Sequence, residues 1–330
     1  MLVSLGLMVA LAGCAPTPPP ADPPSAPPSP SATAVVEEAT TLGEVGCDGL
    51  LPPAETATVI GGSPNSDFGV TQLPLVLVGG IGCQFFFGEQ GASDRAEVNF
   101  SIAPEAIADA SVVTASLSSA ECAADGTDLM SMNPGCSVTA VTAGWWYSVR
   151  FFSFESAAAQ RDGFAAITAL LEAALANHAP PAAAAAVAPF DCQSLATGSM
   201  PVSSFRREPD PRDGAPVVAA YQLAGADICD LTTPEGAHWW LEVYPGGAAA
   251  YESCAQPPTL APSVSTPVTI PGIASAEALA PDGGLAGLCS TDGSSLIRSD
   301  VVLEVSEYDW NSAALAAAAA VLEPAFAAAL

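Results

Sequence analysis

The chain has 330 residues, half of them apolar, and sets 35 acidic side chains against seven basic ones for a net charge of −28. That length and apolar content fit one large or two medium folded domains and exclude a chain disordered throughout. The charge excludes nucleic acid as a partner, because binding phosphates needs clustered Lys and Arg.

The seven basic residues are all arginine, at positions 95, 150, 161, 206, 207, 212 and 298. Asp and Glu make up about a tenth of the chain, an ordinary share, so the imbalance comes from missing basic residues and suggests a halophilic surface.

Residues 2–12 are a short apolar run ending at Gly13 and Cys14. Eleven residues are too few to span a bilayer as a helix but suit the apolar region of a signal peptide. Leu11-Ala12-Gly13-Cys14 resembles the lipobox of bacterial lipoproteins, in which small residues precede a cysteine that is acylated. The run departs from the usual signal in having no Lys or Arg before it. On this reading residues 1–14 are a lipoprotein signal peptide ending at the lipidated Cys14.

Nine prolines fall within residues 15–31, among Ala, Ser and Thr, and acidic and small residues continue to 46. Such a stretch forms an extended, polyproline-like tether over 15–46. The chain is then expected to be anchored to the cell membrane by lipid, with its body on the extracytoplasmic face.

With Cys14 set aside, eight cysteines remain: Cys47, Cys83, Cys122, Cys136, Cys192, Cys229, Cys254 and Cys289. An even number in an exported chain reads as four disulfides, and the lack of C-x-x-C spacing with only two histidines argues against a metal site. Cys47 and Cys192 stand 145 residues apart, Cys83 and Cys229 stand 146 apart, and Cys136 and Cys289 stand 153 apart. This near-constant offset implies a duplicated domain: a first repeat at 47–177, an Ala/Pro linker at 178–189 and a second repeat at 190–330. Cys47–Cys83 and Cys192–Cys229 enclose almost equal loops, which favours those two bonds and leaves Cys122–Cys136 and Cys254–Cys289. Cys47–Cys136 with Cys192–Cys289 is the symmetric rival.

In chain order, a short helix holds Cys47, and Leu73–Ile81 and Cys83–Phe87 read as strands with a glycine break between them. Ala96–Ile102 alternates, with Val98, Phe100 and Ile102 on one face, and Pro104–Ala110 reads as a short helix. Ser137–Val141 and Trp145–Phe152 form a hairpin. A helix near Ser156–Ala176 carries Phe164, Ile167, Leu171 and Leu175 on one side. The second repeat follows with Pro216–Leu223, Cys229–Leu231, His238–Tyr244, Ala248–Cys254, Val301–Tyr308 and a helix after Asn311. The fold class is α+β: two copies of an antiparallel sheet with helices packed on one face, stapled by disulfides.

The lipobox, the Pro-rich tether, a cysteine in each first helix (Cys47, Cys192) and one on each central strand (Cys83, Cys229) carry a resemblance. The layout is similar to actinobacterial envelope lipoproteins whose domains look like the extracellular sensor domain of mycobacterial serine/threonine kinases. That resemblance implies ligand sensing or binding at the cell surface and supplies no catalytic residues.

Catalytic chemistry is sparse. His238, beside Trp239 and Trp240, is the one candidate base, with Glu242 or Asp227 as its carboxylate; His178 falls in the linker. No nucleophile elbow or phosphate loop occurs, and Asp125–Asp128 lacks the closing Glu of a calcium loop. Alternation along a strand turns one Trp of each pair, Trp145-Trp146 and Trp239-Trp240, outward as a contact for a sugar or apolar ligand. Arg206 and Arg207 belong to the basic cluster available to an anion. The expectation is a non-catalytic binding or sensor lipoprotein without cofactor, partnered by the membrane and by a small-molecule or envelope ligand. An envelope hydrolase using His238 and a structural envelope spacer are the alternatives.

Overall fold

Thr41 opens the first helix with a capping box: its hydroxyl accepts from the Glu44 amide while the Glu44 carboxylate accepts from the Thr41 amide at 2.8 Å. The computed structural model describes residues 41–60, 64–65, 72–88, 96–122, 135–153, 157–182, 185–195, 202–205, 214–232, 238–255, 263–267, 269, 274–281 and 287–302. Cys14, residues 15–40 of the tether, Arg206, Arg207 and the helix expected after Asn311 lie outside these residues, whereas residues 42–46, read as the end of the tether, are helical with Leu42 buried.

Helices α1 (Leu42–Leu50) and α2 (Pro53–Ile60) lead to β1 (Pro64–Asn65), α3 (Leu73–Leu77), β2 (Ile81–Phe87) and β3 (Ala96–Pro104). Next come α4 (Ala110–Ser116), β4 (Ser118–Cys122), β5 (Cys136–Thr142), β6 (Trp145–Ser153) and α5 (Ala157–Leu175). These strands form one antiparallel sheet in the order β1-β2-β3-β6-β5-β4. The apolar stripe of α5 behaves as its period requires: Phe164, Ile167, Leu171 and Leu175 are buried with Val98, Phe100, Ile102, Trp145, Tyr147, Val149 and Phe151.

The second half contributes β7 (Val202–Phe205), α6 (Ala215–Leu223), β8 (Asp227–Thr232), β9 (His238–Tyr244) and α7 (Tyr251–Ala255). It ends with β10 (Ser263–Pro267), β11 (Ser275–Pro281), β12 (Gly287–Thr291) and β13 (Leu296–Val302). Its sheet runs β10-β11-β12-β13-β9-β8-β7. Read from β1 and from β7, the two sheets have the same strand order, and β10 is an added edge strand. The fold is α+β with disulfides.

The bridges are Cys47–Cys83, Cys122–Cys136, Cys192–Cys229 and Cys254–Cys289. The first and third do the same job in each half, fixing the segment at the start of the half to β2 or β8. The second joins directly opposed residues of β4 and β5, whereas the fourth ties α7 to β12, which explains separations of 14 and 35 residues.

Several local expectations change. Leu73–Ile81 is not a strand: Pro74 stands in the first turn of α3, and a turn through Gly79 at φ 79° leads into β2. Pro216–Leu223, its counterpart, is likewise helix, opened by Pro216. Apart from Gln222 both segments are apolar, and periodicity alone cannot assign such runs. Pro104–Ala110 is a 3-10 turn at Glu105–Ile107 followed by α4, and β13 starts at Leu296, earlier than Val301.

Helices α3 and α6, each preceding the corresponding strand of its half, pack on one another across the two halves. Leu75, Val78 and Trp146 share a buried cluster with Val217, Ala219 and Ala220, while Leu73 joins Tyr244 and Leu296. The segment read as a linker is held against both halves. The carbonyl of His178 accepts from Trp145 Nε1 at 2.8 Å, and the amides of Val187 and Phe190 donate to the carbonyls of Leu223 and Gly225 at 3.0 and 2.9 Å. Residues 39–330 accordingly form one compact unit. Among the described residues no helix is long and apolar enough to cross a membrane.

Candidate functional site

Strands β2, β3, β6 and β5 lie side by side, and alternation sends every second side chain away from α5. At one end of this second face sits Trp146, buried beneath α6 together with Val217 and Ala220. The register then sets Gly82, Ser101, Ser148 and Thr139 in one cross-strand row. Gly214, the residue before α6, lies against that row. A Cβ there would come within 2.9 Å of Ser148 Oγ and 3.0 Å of Ser101 Oγ.

The next row reads Gln84, Asn99, Arg150 and Ser137: two amides, a guanidinium and a hydroxyl in direct register. At a strand spacing of about 4.8 Å the row is roughly 14 Å long. Gln84, Asn99 and Arg150 are half-buried and Ser137 is exposed. One residue pair further along, Glu97 stands across from Phe86 and Phe152. Its Oε1 accepts from Gln84 Nε2 at 2.8 Å and from Asn99 Nδ2 at 2.6 Å. The carboxylate is thus engaged by amides, and among the described residues no carboxylate lies within ion-pair distance of Arg150. The face offers a guanidinium for a carboxylate or phosphate and polar groups for hydroxyls.

A second polar constellation lies on the other sheet. The phenol of Tyr244 donates to Glu242 Oε2 at 2.6 Å and Tyr221 donates to Oε1 at 3.5 Å, with the two rings stacked at 6.2 Å. Arg298 faces Glu242 across β13 and β9. Burial raises the Tyr244 pKa, and the charge of Glu242 raises it further. In the first half the Tyr147 phenol donates to Glu172 Oε1 on α5 at 2.5 Å, and its pKa is raised by burial and by that carboxylate. In both places the groups satisfy one another, so a strand is tied to a helix with its buried phenol paired.

The aromatic pairs turn out differently from the alternation argument. Trp145 and Trp146 do point to opposite faces, but both are buried, Trp145 among the α5 contacts and Trp146 beneath α6. The expectation of an outward Trp fails at this pair because α6 of the second half covers that end of the other face. Trp239 and Trp240 lie on β9, and their side chains fall outside the described ones. His238 lies on the same strand as Glu242, four residues away, so the rise of a strand separates them by roughly 13 Å. Asp227 pairs with Val243, five residues from His238 and roughly 17 Å along the strands. Asp125–Asp128 falls outside the described residues.

Sequence reading missed the Arg150 row. The signal available was the polar member of each alternating run: Gln84 between Cys83 and Phe85, Asn99 between Val98 and Phe100, Arg150 between Val149 and Phe151. The register that aligns them is not written in any one strand. No protein-family model, curated protein or solved structure matches the chain.

Proposed function

We propose that the chain is an exported lipoprotein, held at the extracytoplasmic face of the cell membrane by acyl chains on Cys14, whose body binds a ligand without chemical turnover. The observation that carries this reading is the pairing of eight cysteines into four disulfides, which suits an oxidising compartment and leaves Cys14 as the ninth. That cysteine follows Leu-Ala-Gly at the end of an apolar run, and the proline-rich stretch behind it would hold the body off the membrane. The binding role is supported by the resemblance to envelope sensor domains and by the half-buried polar row around Arg150. The separation of His238 from Glu242 and Asp227 weighs against the hydrolase alternative.

The test is fractionation of cells expressing the full chain or Cys14→Ala. The wild type should remain with the membrane after a salt wash and partition into detergent. The variant should be shed to the medium or remain unprocessed. Retention of both alike would overturn the anchor. A ligand that co-purifies with the solubilised protein, seen by native mass spectrometry, would separate a binding module from a structural spacer.

A further inference from the structure

We propose that the face of the first sheet around Arg150 is a ligand site for a polyhydroxylated monocarboxylate, an acidic sugar in chemical class, with its carboxylate on the Arg150 guanidinium. The proposal rests on the binding-module reading and names the ligand chemistry of that module.

Four observations carry it. First, Arg150 is one of only seven cationic side chains in a chain of net charge −28, and it projects from the middle of a sheet. A guanidinium in that setting ordinarily pairs with a neighbouring acid, yet Glu97 instead takes the amides of Gln84 and Asn99. Among the described residues no carboxylate takes the planar fork, which leaves it to a carboxylate from outside them.

Second, the position is half-buried, so an ion pair formed there is less screened by salt than one on an open surface. Third, the ligand's other groups have matching partners in register: the carboxamides of Gln84 and Asn99 and the hydroxyl of Ser137 for sugar hydroxyls. Fourth, Glu97 limits the charge. One guanidinium neutralises one negative charge, and a second on the ligand would meet the Glu97 carboxylate, so a monoanion fits better than a phosphate dianion.

The experiment is calorimetric titration of the detergent-solubilised full chain with D-glucuronate, D-glucose and inorganic phosphate. Glucuronate should bind at least about tenfold more tightly than glucose and no more weakly than phosphate, and added salt should weaken it. Arg150→Gln, at an unchanged melting temperature, should bring glucuronate down to the level of glucose. Arg150→Lys should fall between, because it keeps the charge and loses the fork. Equal affinity of the wild type for glucuronate and glucose would overturn the assignment without reference to any variant. Tighter binding of phosphate would overturn the carboxylate class. Either result leaves the anchored-module reading standing, since that reading depends on the acylation of Cys14.

Discussion

Gly214, at φ 78°, lies so close to Ser148 that a Cβ on it would come within 2.8 Å of the serine Cβ. The residue just before α6 in the second half therefore touches the sheet of the first half, and only a side chain of no size fits. Gly246 has a similar φ of 73° but open space around it. Gly246→Ala should cost about 1 kcal/mol for the left-handed backbone alone. Gly214→Ala should cost about 2–3 kcal/mol, since its ψ of 158° lies in a region essentially reserved for glycine and steric overlap adds to that strain. Urea melts of both variants measure the difference, and equal costs would mean that α6 can withdraw from the sheet freely.

The β5–β6 turn offers a change in the opposite direction. Ala143 and Gly144 form its two-residue loop with φ 50° and 80°, the pattern of a type I′ turn, and Ala143 is the one described non-glycine residue with positive φ. Ala143→Asn or Ala143→Gly should stabilise the protein by about 0.5–1 kcal/mol. Thermal melts check this, and a loss of stability would contradict the turn assignment.

Removing the Cys47–Cys83 bridge, by Cys47→Ser with Cys83→Ser, should cost about 3–4 kcal/mol. The 14-residue Cys122–Cys136 loop should cost slightly less than the 36-residue one, because closure entropy grows only slowly with length. Non-reducing peptide mapping should return four bridges, none of them joining the first half to the second. A peptide linking Cys47 to Cys136 would contradict the arrangement.

Alkali should reach Tyr147 and Tyr244 only by unfolding the chain. Burial raises both phenols, with Glu172 beside the first and Glu242 beside the second. In the unfolded chain they ionise near the ordinary value of about 10. A raised folded pKa contributes stability that is intact below about pH 10 and is lost as the pH climbs from there towards the folded values. The urea midpoint should accordingly fall above about pH 10. Of the five tyrosines, these two should gain tyrosinate absorbance only together with loss of structure. Titration of all five near pH 10 in the folded protein would contradict their pairing.

Elements with a clean period were legible in the sequence, as α5 and the alternating β3 show, and so were the cysteine spacings. Leu73–Leu77 and Ala215–Leu223 were not: almost wholly apolar segments give no clear period, and the two helices pack on one another across the halves. The same contact hid the fate of Trp146, since alternation gives the face of a strand but not what covers it. The Arg150 row was invisible for a third reason. Gln84, Asn99, Arg150 and Ser137 come from four strands, and only register brings them side by side.

The central claim, an exported and lipid-anchored module, meets its most direct test at one residue. Mass spectrometry of the N-terminal peptide from membrane-extracted protein should show a chain beginning at Cys14 and carrying acyl chains. A peptide that retains residues 1–13, or one that starts beyond Cys14 without lipid, would contradict the claim.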